Sequence, residues 1–79
     1  MTEADLELLK TNIDKLVRVH CRDGEIFVGK AISVSAEEQD LIYDLISTTK
    51  ESQYEKTYQQ PSYLIRFQDI ESVELPKDS

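Results

Sequence analysis

Cysteine, glycine and proline are all scarce in this 79-residue chain: one cysteine, two glycines and two prolines, with no tryptophan and a single histidine. One cysteine excludes an internal disulfide, and one cysteine with one histidine excludes the common structural zinc patterns within a chain. No apolar run approaches the length of about 20 residues that a membrane span needs, and no signal-peptide pattern opens the chain. Basic residues are outnumbered, nine against sixteen acidic, for a net charge of -7. That balance disfavours non-specific adhesion to nucleic acid or to anionic membrane, both of which need a basic field. The expectation is a soluble, cytoplasmic protein without cofactor. There is no nucleophile elbow, no glycine-rich phosphate loop and no paired carboxylates at a catalytic spacing, so no enzyme activity is expected.

What the chain does contain is strands. Leu16-Val17-Arg18-Val19-His20-Cys21 and Ile26-Phe27-Val28-Gly29-Lys30-Ala31-Ile32-Ser33-Val34 flank a charged turn holding Asp23-Gly24. Asp-Gly between two apolar runs is the strongest short-range hairpin signal. In the first strand (15–22) Val17, Val19 and Cys21 share one face, and Arg18, His20 and Arg22 share the other. That second face reads as a basic stripe or, more plainly, as a solvated face pairing with acidic neighbours. His20 reads as a surface residue. Cys21 reads as a small core hydrophobe. The second strand (25–34) looks apolar on both faces and so belongs at the sheet centre, with Gly29 marking a bend.

A third strand spans 40–48 after the polar loop Ser35–Gln39, and a fourth spans 62–67. A tight corner at Gln68-Asp69 leads to a fifth strand, 70–75, stopped by Pro76. Residues 49–61 lack apolar periodicity and read as a variable loop. Tyr54 and Tyr58 lie within it, free to contact a partner, while Tyr43 and Tyr63 pack along strands. Before all of this, residues 2–13 read as a short helix, capped by Thr2 with Asp5 three residues on. Leu6, Leu9 and Ile13, with Leu8 beside them, form its docking stripe. The fold class is mainly β: a short N-terminal helix followed by a five-stranded, strongly bent antiparallel sheet, an open barrel of SH3-like type. So small a core gains from association, and a five-stranded open sheet has edges that invite it.

This order of elements resembles the Sm/LSm family of ring-forming, RNA-associated proteins. Asp23-Gly24, Phe27, Gly29, the 35–40 loop and Leu41-Ile42-Tyr43 follow the family's first motif. Ile65-Arg66-Phe67-Gln68-Asp69-Ile70 follows its second, with Phe67 where the family has glycine. The likeness spans roughly residues 3–76, so the whole chain is expected to be one Sm-like domain: helix 2–13, barrel 15–76. The resemblance implies that the fourth strand of each subunit pairs with the fifth of the next, closing a homo-oligomeric ring, a hexamer or heptamer. It also implies single-stranded RNA at the inner rim, with Arg66 stacking on a base and Asp40 or Gln39 reading its edge. Phe67 is either a stacking surface or a core residue. Against this stand Glu37, Glu38 and Asp40, which would repel phosphate, and the lack of any aromatic in the 35–40 loop. A protein-interaction or scaffold ring without RNA, or a small SH3-like peptide-binding module, is the alternative.

Overall fold

The structure, a computed structural model, describes residues 1–50 and 62–76. The helix α1 spans Glu3–Thr11 and is followed by strands β1 (Leu16–Cys21), β2 (Ile26–Ser35), β3 (Asp40–Thr48), β4 (Tyr63–Arg66) and β5 (Ile70–Glu74). A 3-10 turn, Phe67–Asp69, joins β4 to β5. The helix is three residues shorter than the sequence suggests and β1, β4 and β5 one or two, because the ends pass into turns, while β2 and β3 have the expected length. Most of the expected 49–61 loop, Tyr54 and Tyr58 included, lies outside the described residues.

The helix starts where its chemistry says it should. Thr2 Oγ1 accepts from the Asp5 amide at 3.2 Å, and Asp5 Oδ2 accepts from the Thr2 amide at 2.9 Å. The other oxygen of the same carboxylate accepts from the Val73 amide at 3.1 Å, so Asp5 ties α1 to β5 as well as capping it. Leu9 is fully buried, and Leu8 and Ile13 pack against the core. Burying one leucine contributes about 1.5–3 kcal/mol, which a nine-residue helix needs because it is unstable alone.

All pairings are antiparallel, in the spatial order β4-β3-β2-β1-β5. Strand β2 is central, as expected, but it is not buried on both faces. Phe27 and Ala31 are buried, whereas Ile26 is 36% exposed and Val28 and Ile32 are half-buried. The sheet curls round its inner face, and the outer face stays wet.

The bend is built at two places in the β2–β3 ladder, where register shifts fall between Val28 and Gly29 and between Ala31 and Ser33. A Cβ at Gly29 would lie 2.9 Å from the Asp44 carbonyl oxygen and 3.0 Å from Tyr43 Cδ2. Glycine is therefore the residue that lets β3 come this close. The tight approach stacks Tyr43 on Phe27, with ring centroids 4.3 Å apart and planes at 18°. Gly24 closes the β1–β2 turn with φ 97°, the left-handed conformation that glycine enters without penalty. The curled sheet wraps Leu9, Val17, Val19, Phe27, Leu41 and Ile70 into one core.

Candidate nucleic-acid interface

Strands β4 and β5 are consecutive in the chain yet lie at opposite ends of the sheet order. Among the described residues, β4 pairs with β3 alone and β5 with β1 alone. Leu64 on β4 is 54% exposed, and Leu75, just past β5, is 46% exposed. The outer side of β5 is partly occupied from within. Its Val73 amide goes to Asp5, and the Met1 ammonium donates to the Ile70 carbonyl at 3.2 Å.

The four residues singled out from the sequence meet at the corner between β3 and β4. Asp40 and Arg66 stand opposite each other in the β3–β4 ladder. Gln39 sits just before β3 at φ 59°, a left-handed position, and its amide donates to the Ser35 carbonyl at 2.8 Å. The Gln39 carbonyl in turn accepts from the Phe67 amide at 2.8 Å. That bond links the loop to the 3-10 corner and fixes the two backbones side by side.

Side by side is not one pocket, however. Gln39 and Phe67 line a cleft of about 300 Å³ together with Met1, Arg22 and Gln68, and neither Asp40 nor Arg66 lines it. Arg66 is exposed, and among the described residues it has no carboxylate within 4.0 Å. Among the described residues, Arg66 thus forms no ion pair with Asp40, Asp69 or Glu71. Phe67 is half-buried and packs its ring against the core, so it is anchored but not sealed.

The expected basic stripe divides. Arg18 and His20 share one carboxylate: His20 Nε2 lies 2.6 Å from Glu74 Oε2, and Arg18 Nη1 lies 3.8 Å from it. His20 is thus a half-buried, partnered residue rather than a free surface one. Arg22 takes no part in that pairing. Its Nε donates to the Gln68 carbonyl at 2.9 Å, which turns the side chain toward the cleft. The β1–β2 turn that carries Arg22 shows how. The Cys21 amide donates across the turn to the Glu25 carbonyl at 2.8 Å, while the Arg22 amide crosses to the Asp69 carbonyl at 3.0 Å. Strict alternation along β1 ends at Cys21, and the register shift there is the signal that a bare sequence hides.

Cys21 Sγ lies within 4.8 Å of the Asp23 and Glu25 carboxylates. Burial first, then the charges of Glu25, Asp23 and Asp69, push its thiol up to about 12. At neutral pH it stays protonated, a poor nucleophile and a poor metal ligand. Asp23 is held below its ordinary value by the Glu25 amide and then by Lys50, whose Nζ lies 3.3 Å away.

No family model and no curated protein matches the chain. Among solved structures, the SmAP (LSm) protein of Methanococcus vannielii superposes with a TM-score of 0.69, covering 94% of this chain and 97% of the other at 19% identity. The chain has the Sm-type fold. Within that fold, no helix of the described residues is long and apolar enough to cross a membrane.

Proposed function

We propose that this protein assembles through its two outer strands, β4 and β5, into a homo-oligomeric ring, and that the ring binds single-stranded RNA at the β3–β4 corner. Border pairing of β4 with a neighbour's β5 is heterologous, and such contacts close into rings when the rotation allows. Exposed Leu64 and Leu75 at the two borders support it, since association would remove both from water. The RNA reading rests above all on one observation: Arg66 is exposed and, among the described residues, carries no ion pair, directly beside a phenylalanine and a glutamine that share a cleft. Arginine and aromatic faces stack unpaired bases, and an amide can read a base edge. Nothing in this role calls for catalysis or a cofactor.

A second reading, a scaffold ring for proteins, is favoured by the charge of -7 and by Glu37 and Glu38 in the loop before β3. Light scattering and RNA titration separate the two. A mass of six or seven subunits is expected, and a single-subunit mass would remove the ring from both readings. Micromolar or tighter binding of oligo-U that Arg66→Ala weakens supports RNA. No binding at low salt leaves the scaffold.

A further inference from the structure

We infer that Arg22 is a phosphate contact, seating the backbone of the same single-stranded nucleic acid whose base meets the Gln39–Phe67 cleft. The inference rests on the RNA reading above and adds to it a residue from the β1–β2 turn, serving a different part of the ligand.

Three observations carry it. Arg22 lines the cleft together with Phe67 and Gln39. Its Nε bond to the Gln68 carbonyl fixes the plane of the guanidinium, leaving both Nη groups as donors on a preset fork. Lastly, its charge is unspent: among the described residues Arg22 has no carboxylate within 4.0 Å, although Asp23 follows it in the chain and the Asp69 backbone lies beside it. Asp23 is instead engaged by Lys50 at 3.3 Å, and the Asp69 carbonyl accepts the Arg22 amide. Arg18 and His20, the neighbours that alternation groups with Arg22, are both engaged by Glu74.

The cleft therefore brings an aromatic residue and an oriented cation together. That is the arrangement by which single strands are held without much sequence choice: stacking for the base and charge for the phosphate. The net charge of -7 disfavours a bare anion as the ligand. The base must contribute.

The test is the salt dependence of oligo-U binding by the full-length chain, with circular dichroism and light scattering confirming fold and mass for each variant. For single strands, log K falls with log salt by about 0.7 per phosphate engaged. Arg22→Ala is expected to lower that slope by about 0.7 for every subunit whose Arg22 meets a phosphate. Arg22→Lys should restore the slope while losing part of the affinity, because charge returns but the fork does not. Arg18→Ala should leave the slope unchanged. If oligo-U binds, Arg66→Ala weakens it, and the Arg22→Ala slope equals that of the wild type, then Arg22 has no such role while the RNA reading stands. If the wild type binds no oligo-U at low salt, both fall together.

Discussion

Replacing Gly29 by alanine tests the bend on which the whole barrel depends. The new methyl carbon would sit 2.9 Å from the Asp44 carbonyl oxygen and 3.0 Å from Tyr43 Cδ2. The first neighbour is backbone in the middle of a ladder and cannot step aside. The second belongs to a ring stacked at 4.3 Å on Phe27, itself 1% exposed, so it moves only at the expense of the core. Overpacking of this kind costs about 1–3 kcal/mol. Alanine returns part of that, about 0.4–1 kcal/mol, by restricting the unfolded chain. The net expectation is a loss of about 1–2 kcal/mol, against a total of about 4–12 kcal/mol for a domain of this length. Urea titration followed by far-ultraviolet circular dichroism, at one fixed protein concentration, measures it. With a slope near 1 kcal/mol/M the midpoint should drop by about 1–2 M. Adding Tyr43→Leu relieves the ring contact but not the carbonyl contact, so the double variant should not recover fully. A Gly29→Ala protein as stable as the wild type would refute the claim that β2 and β3 approach so closely.

Two further outcomes follow from titratable groups. Burial raises the Asp5 pKa, but hydrogen bonds from Thr2 and Val73, aided by the N-terminal ammonium, outweigh it, so the folded value lies below the ordinary 3.8. Its stabilisation is accordingly present above the unfolded value and fades as pH falls through the folded one. Asp5→Ala should cost about 1 kcal/mol at pH 7 and progressively less in acid, as thermal melts between pH 7 and pH 2 would show; an equal deficit at both ends would contradict it. The Cys21 thiol, buried and pushed up to about 12, should resist Ellman's reagent at pH 8 until denaturant is added. Prompt labelling of the native protein would show that the β1 end opens.

Much of the fold was legible because its signals are local. Asp23-Gly24 marks the hairpin, the Thr2–Asp5 spacing marks the helix start, and the alternation Val17, Val19, Cys21 marks an inner face. Gly29 was readable as a bend, since an isolated glycine in an apolar strand has few other uses. What the residues concealed is tertiary. Strand β2 looks buried on both faces, but curvature leaves Ile26 at the surface. The stripe Arg18, His20, Arg22 assumes perfect alternation, and the shift at Cys21 sends Arg22 to the cleft while Glu74, 54 residues from His20, claims the other two. The candidate site was found by likeness of motif. Its division into an Asp40–Arg66 pair and a Gln39–Phe67 cleft depends on the left-handed turn at Gln39, for which a glutamine gives no warning.

In the ring proposed above, the three-residue corner Phe67–Asp69 would be the one covalent joint between the two seams of each subunit. A molecule gripped there would lean on the strand that reaches one neighbour and on the strand that receives the other. By reciprocity of linked equilibria, any effect of occupancy at that joint on the cohesion of the proposed ring would be returned by the same factor. Subunit exchange would become a readout of what the corner holds.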